Sequence, residues 1–240
     1  MPLNRYFLDA PFQADAEVLL TGEEAHHLSR VMRKKEGDAV ELVNGQNALA
    51  TAALIGSEKK GVRLRLLSIV EQEPPARALI ICQALPRFNR LETIAEKGTE
   101  LGMTALWLFP GELSEKKELS PTQLTRLKGI TVAAMKQSGR LDLPSIHLHP
   151  PLKQWKPRTS PAYFGDLNPE APPFLSALSK SMQDDILFFV GPEAGLTSAE
   201  EQQLLRLQAT GVRLHTNILR TDTASLTALS VISNFFLTKN

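Results

Sequence analysis

The sequence predicts an α/β protein in which a mainly parallel, helix-covered sheet follows a smaller strand-rich module. Three observations carry that reading. Continuous apolar runs such as "ALIICQAL" (78–85), "ALWLF" (105–109) and "ILFFV" (186–190) alternate with helical patterns, the texture of a buried parallel sheet. Three shorter strand patterns crowd together before residue 72. Between the two textures stands "SIVEQEPPARALI", where Pro74 and Pro75 interrupt the periodicity. The expected division is therefore one domain over 1–72 and a second over 76–240.

The first domain begins with a helical pattern in "TGEEAHHLSRVMRKKEGD". Thr21 and Glu24 have capping-box spacing, Ala25, Leu28, Val31 and Met32 form one apolar face, and Gly37 is a stop. Strands at 39–45, 48–56 and 61–70 follow, separated by Asn44-Gly45 and by "SEKKG", which suits a small antiparallel barrel or sheet. In the second domain "RLETIAEKGTELGM" places Leu91, Ile94, Ala95 and Leu101 on one stripe before Gly102. "SPTQLTRLKGITVAAMKQSG" has Pro121 in its first turn and Gly139 at its end. Further strands are expected at 144–149, 161–165, 185–190 and 211–215, with a last helix over about 223–237.

Composition narrows the function classes. The 240 residues carry a net charge of +1, so no global field draws the chain to nucleic acid, and any basic surface is local. A single cysteine, Cys82, excludes an internal disulfide and a cysteine-rich zinc site. No apolar run approaches the ~20 residues that span a bilayer, and the N-terminus lacks an apolar signal core, so a cytoplasmic protein without membrane contact is expected. His26-His27 and the pair His147 and His149 lack a third ligand at recognisable spacing, so no metal site is expected. Trp107, Phe109 and Cys82 read as core.

Two stretches carry chemistry. In "ILFFVGPEAGLTSAE" (186–200) a strand runs into a turn containing Gly191 and Gly195, and Thr197 with Glu200 then starts a helix. Strand, glycine turn and helix start can cradle an anion. Yet the P-loop lysine is missing, and two glycines do not make the dinucleotide pattern. Glycines that let a flat group approach the backbone suit a nucleoside better than a triphosphate. In "LHTNILRTDTASLTALSVI" (214–232) Arg220 precedes a helix that Thr221 or Asp222 can cap, while Leu226, Leu229, Ile232 and Phe236 face a core. Taken alone, the first stretch is equally a plain strand-to-helix turn, and the second reads more readily as an ordinary surface arginine beside a capped helix.

Together with "EKGTELGM" (96–103) and "AAMKQSGR" (133–140), these stretches resemble the RsmE family, bacterial 16S ribosomal RNA uracil-N3-methyltransferases of the SPOUT superfamily. "NRYFL" and "HHLSRVMRKKEGD" are similar to that family's PUA-like RNA-binding domain, and the resemblance runs the length of the chain. It implies a PUA-like β-barrel followed by a SPOUT domain that binds S-adenosylmethionine in a deep trefoil knot, in a homodimer acting on 16S rRNA or the small ribosomal subunit. The alternation of elements alone predicts an unthreaded sheet. By the resemblance Gly191, Pro192, Glu193 and Gly195 form the cofactor loop, and Leu214, Ile218, Leu219 and Arg220 form the second cofactor segment. Thr221 and Thr223 continue it. Three positions depart from the family: Ala194 stands where a glycine is usual, Lys136 where a glutamate is usual, and "HTN" at 215–217 replaces a segment with glycine and arginine.

Methyl transfer to uracil N3 requires loss of the imide proton and alignment of the nitrogen with the methyl group. Arg220 is the expected cation for charge developing on the uracil oxygens, with Glu193, Thr221 or Thr223 assisting proton removal. For RNA capture Arg30, Arg33 and Lys34 are expected on one helix face, with Lys35 adjacent and Arg5 upstream, holding phosphates rather than reading bases. Two other readings share these residues. Lys136 and 215–217 fit an enzyme for another RNA base; Ala194 fits a non-catalytic RNA-binding protein with a degenerate knot.

Overall fold

The computed structural model describes residues 5–178 and 185–237, which divide into two compact units. The first comprises Met1–Pro74 together with Val132–Leu143; the second comprises Pro75–Thr131 and Pro144–Asn240.

In the first unit β1 (Arg5–Phe7), β2 (Glu17–Thr21), β3 (Ala39–Val43), β4 (Ala48–Glu58) and β5 (Gly61–Glu71) form a five-stranded sheet in the order β1-β3-β4-β5-β2. Only the β1–β3 pair is parallel. The period-2 pattern is visible in β4 and β5, whose alternate residues Ala50, Ala52, Leu54, Val62, Leu64 and Leu66 are buried against Tyr6, Leu20 and Leu42. β1 and β2 form the two edges, so among the described residues the ladder is open rather than a closed barrel. The Asn44-Gly45 turn is held on both sides. Asn44 Oδ1 accepts from the N–H of Gln46 and of Ala48, and the Gly45 carbonyl accepts from Leu143 N–H at 2.9 Å. Gly45 has φ +73°, and a Cβ there would lie 2.9 Å from Leu143 Cβ, so this turn needs glycine for conformation and for space. Val43, Met135 and Leu141 bury one another beside Phe7 and Leu49, which explains why Val132–Leu143 belongs to this unit.

The expected first helix is shorter than its pattern. α1 (Gly22–His26) passes into a π-helical turn, His27–Val31, and stops there. Thr21 makes no side-chain cap, because Gly22 enters at φ +63° and Glu24 is turned to the ammonium of Lys136 instead. Ala25 and Leu28 are buried as expected, whereas Val31 and Met32 are 57% and 38% exposed. Arg33 adopts φ +52°, so the chain bends away before Lys34, and Gly37 lies in the turn leading to β3. The basic run is therefore not one helical face.

The second unit contains β6 (Leu79–Ala84), β7 (Ala105–Phe109), β8 (Ser145–Leu148), β9 (Ala162–Gly165), β10 (Ile186–Val190) and β11 (Thr210–Val212). They form an all-parallel sheet ordered β11-β9-β10-β6-β7-β8. Every residue of β6, β7 and β10 is buried because both faces are covered. On one face Leu79, Ile81, Leu106, Phe188 and Val190 pack with α2 (Phe88–Glu100), α4 (Phe174–Leu178) and α6 (Thr221–Leu237). On the other, Ile80, Cys82, Trp107, Phe109, Leu187 and Phe189 pack under α5 (Ser198–Arg206) and Trp155. Gly102 at φ +90° follows α2, and Gly139 at φ +85° follows α3 (Pro121–Ser138), as their positions imply. The Thr197–Glu200 capping box opens α5 with both of its reciprocal bonds. β11 ends at Val212, short of the expected 215, and 213–220 runs on without strand pairing apart from a single bridge at Arg213.

One polar side chain interrupts this apolar interior. Gln83 is fully buried in β6. Its amide nitrogen lies 2.8 Å from the Ala84 carbonyl, 3.1 Å from the Gly191 carbonyl and 2.9 Å from Thr221 Oγ1. Its oxygen accepts from Ser225 Oγ at 2.8 Å, and Thr221 Oγ1 donates to the Gly191 carbonyl at 2.7 Å. The residue thus joins the end of β6, the end of β10 and the first turn of α6.

Two expected outcomes follow from these contacts. Gln83→Leu keeps the volume but removes one of two partners from both Ser225 Oγ and the Gly191 carbonyl, and should lower stability by about 1–3 kcal/mol in a denaturant titration. Lys136→Glu sets a second carboxylate against Glu24, whose side chain, like that of Lys136, is 21% exposed. It should destabilise by about 1–2 kcal/mol, and the charge swap with Glu24→Lys should recover most of that in thermal melts.

Candidate functional site

The turn after β10 is a close fold of backbone on itself. A Cβ at Gly191 would meet the Gly195 carbonyl carbon at 2.8 Å and the Leu196 nitrogen at 2.9 Å, so no side chain fits there. Gly195 N–H donates to the Pro192 carbonyl at 2.9 Å, which places Gly195 at φ +82°. A Cβ at Gly195 would meet nothing within 4 Å, so this glycine faces open space. Ala194, by contrast, has no positive φ, and its methyl group is accommodated without backbone strain. Glu193 is exposed, and its Oε1 accepts from Arg87 N–H at 3.0 Å, at the residue that caps the N-terminus of α2.

This turn and the segment before α6 form the walls of a cavity of about 370 Å³. It is bounded by 165–167 after β9, by 190–196, by Glu201 of α5, by Leu214, His215 and 217–219, and by Thr221 and Ala224 of α6. The volume falls in the range of small-molecule sites. Glycine backbone on one side and the apolar Leu214, Ile218 and Leu219 on the other suit a flat nucleoside with polar substituents. The residues present therefore fit S-adenosylmethionine.

Most of the expected site converges here. Gly191, Pro192, Glu193, Gly195, Leu214, Ile218, Leu219 and Thr221 all line the cavity. Arg220 and Thr223 do not; both are exposed at its margin, next to lining residues in the chain. Thr221 is not an exposed cap, since its hydroxyl bridges Gln83 and Gly191. Asp222 pairs with Arg90 at 3.0 Å. Three residues that the sequence reading passed over matter here. Gln83 was visible as the one polar residue in an apolar strand. Asp166 directly follows β9, and Glu201 lies in the first turn of α5; nothing local marked either. Burial and the negative charge of Asp166 push the Glu201 carboxyl above its ordinary range.

The basic residues of the first unit separate into two groups. Arg30 and Lys34 line a concavity of about 460 Å³ together with His26 and with Lys59 and Lys60 at the tip of the β4–β5 hairpin. Glu58 at its rim pairs with Arg63. None of Arg30, Lys34, Lys59 and Lys60 has an ion-pair partner among the described residues. Arg33 and Lys35 lie outside this concavity. Arg5 departs from its expected role at the RNA face: its side chain is 10% exposed and paired with Glu41 at 3.0 Å, so it braces β1 against β3. Among the described residues no group of three potential metal ligands gathers, and no helix is long and apolar enough to cross a membrane.

Comparison with known proteins agrees with this geometry. An RNA methyltransferase domain model matches residues 72–233, and an RNA methyltransferase PUA domain model matches residues 20–67. The chain is 31% identical to ribosomal RNA small subunit methyltransferase E of Bacillus subtilis, with 96% of each chain covered. It is 30% identical to the Synechocystis protein of the same name, over 91% of this chain and 73% of that one. Its fold superposes with a TM-score of 0.86 on the crystal structure of the Neisseria gonorrhoeae protein of that name bound to S-adenosyl methionine, at 26% identity over 97% of both chains. The chain belongs to the ribosomal RNA small subunit methyltransferase E family.

Proposed function

We propose that this protein is an S-adenosylmethionine-dependent methyltransferase that modifies N3 of a uridine in 16S ribosomal RNA. The observation that carries the reading is the cavity between the 190–196 turn and the 214–219 segment, in a chain whose relatives are named ribosomal RNA small subunit methyltransferase E. When bound, the cofactor supplies an electrophilic methyl group. The chain's own residues supply placement and charge. The glycine turn and Leu214, Ile218 and Leu219 hold the nucleoside, which fixes the donor in line with an incoming nitrogen. Arg220, exposed beside the wall, stabilises negative charge on the uracil oxygens as the imide proton leaves. Glu193 is already engaged with Arg87 N–H, which favours a role in shaping the loop over one as the base.

The division of labour is part of the proposal. Residues 1–72 capture RNA through the concavity lined by Arg30, Lys34, Lys59 and Lys60, and 76–240 carry out transfer. The trefoil threading, a homodimer, the small ribosomal subunit as partner and a cytoplasmic location complete it, by likeness to the family. The unstrained Ala194 and the Glu24 partner of Lys136 both argue against a degenerate site.

Mass mapping of 16S rRNA from a strain lacking the protein, then complemented, tests the function; a uridine that keeps its methyl group in the deletion strain sinks the substrate assignment. Arg220→Ala should lower turnover by about 10²-fold with cofactor affinity nearly unchanged, as befits a charge needed in the transition state. Replacing Arg30, Lys34, Lys59 and Lys60 with alanine should weaken rRNA binding and reduce the slope of log affinity against log salt by about 2–4. An unchanged slope means that this face does not touch RNA.

A further inference from the structure

The cofactor cavity has an uneven charge. Its wall carries three carboxylates, Asp166, Glu193 and Glu201, and neither lysine nor arginine. Glu193 is engaged with Arg87 N–H, but Asp166 and Glu201 have no ion-pair partner among the described residues. Asp166 is built in with some care. Its N–H donates to the Val212 carbonyl at 2.9 Å, and its Oδ1 accepts from Asn168 N–H at 2.8 Å. On the neighbouring strand a Cβ at Gly211 would come within 2.5 Å of Asp166 Oδ2, so the glycine makes the room in which this carboxylate sits. Two arginines adjoin the lining segments in the chain without lining the cavity themselves: Arg213, whose Nη1 donates to the Pro169 carbonyl, and Arg220 at the margin.

Two carboxylates facing one cavity repel each other in the protein alone; burial first, and then the negative charge of Asp166, push the Glu201 carboxyl up. A cation between them relieves it. Under the function proposed above, the donor is a sulfonium and the product a neutral thioether; the two share nucleoside and amino-acid parts. In the reaction the S–CH3 bond breaks with its electron pair staying on sulfur, an N3–CH3 bond forms, and the N3 proton passes to solvent water. The sulfur falls from one positive charge to none.

We propose that Asp166 and Glu201 make the cavity selective for charge at sulfur: they hold the sulfonium donor more tightly than its thioether product, and so favour exchange after each turnover. The inference rests on the cofactor reading, but it concerns selectivity rather than binding itself.

Calorimetric titration of the full-length protein tests it, with three probes: S-adenosylmethionine, S-adenosylhomocysteine, and an analogue bearing an ammonium group in place of the sulfonium. The wild type should bind the donor about tenfold tighter than the thioether, with the ammonium analogue following the donor. Asp166→Asn and Glu201→Gln should each shrink that preference by roughly three- to tenfold. Because its carboxyl is pushed up, the ionised Glu201 is disfavoured in the folded chain, so Glu201→Gln should melt no lower than wild type. This variant therefore tests the idea even if the aspartate variant folds poorly. An unchanged preference in folded Glu201→Gln and Asp166→Asn, or a wild type that binds the thioether as tightly as the donor, overturns the proposal alone. A wild type that binds none of the three overturns the cofactor reading with it.

Discussion

The architecture of the catalytic half depends on one buried amide. Gln83 sits at the centre of a parallel sheet where no water reaches, so its donors and acceptor must be met by protein. They are met by three separated pieces of chain: the ends of β6 and β10 and the start of α6. An apolar residue in its place could fill the space, but Ser225 Oγ and the Gly191 carbonyl would each lose the bond that ties them to β6. The cavity exists because these ends are held in one register. The geometry of the glycine turn is thus inherited from the sheet rather than improvised by the loop.

Much of this was legible because the signals were local. Apolar runs marked every core strand of the sheet, Pro121 and Gly139 bracketed α3, and the Thr197–Glu200 spacing formed the capping box it promised. The same spacing at Thr21 and Glu24 did not, and the difference is instructive. Glu200 has backbone N–H groups to receive it, including that of Glu112. Glu24 has a lysine more than a hundred residues away in the chain, and the ion pair outcompetes the cap. A charge that looks reversed in a motif can therefore be balanced by a residue the motif does not include. Sequence spacing also treated Arg30, Arg33 and Lys34 as one face, when a π-helical turn and a left-handed residue at Arg33 redirect the chain. The hairpin tip at Lys59 and Lys60 joins Arg30 and Lys34 only through the pairing of β4 with β5.

The site shows the same split between local and distant information. The glycine turn and the segment before α6 announced themselves by composition, and both line the cavity. Asp166 and Glu201 had no motif, because only the fold brings the segment after β9 and the first turn of α5 to the same cavity. Arg220 shows the reverse case. A conspicuous residue in the sequence proves to be a neighbour of the wall rather than part of it. Its charge is consequently available to a second molecule entering from outside, which a buried arginine would not be.

The assignment of Val132–Leu143 to the first unit has a bearing on how such a protein can change over generations. The polypeptide visits that unit twice, and Met135 and Leu141 share a small core with Val43. The N-terminal module is therefore not a cassette bounded by a single junction near Pro74. A recombination event that exchanged it at that point alone would import a new sheet without the strip of helix that matches it. Exchange would need two coordinated crossovers, or a lineage of compensating substitutions along both pieces. Drift on one piece constrains the other, so the two are expected to carry a shared historical record.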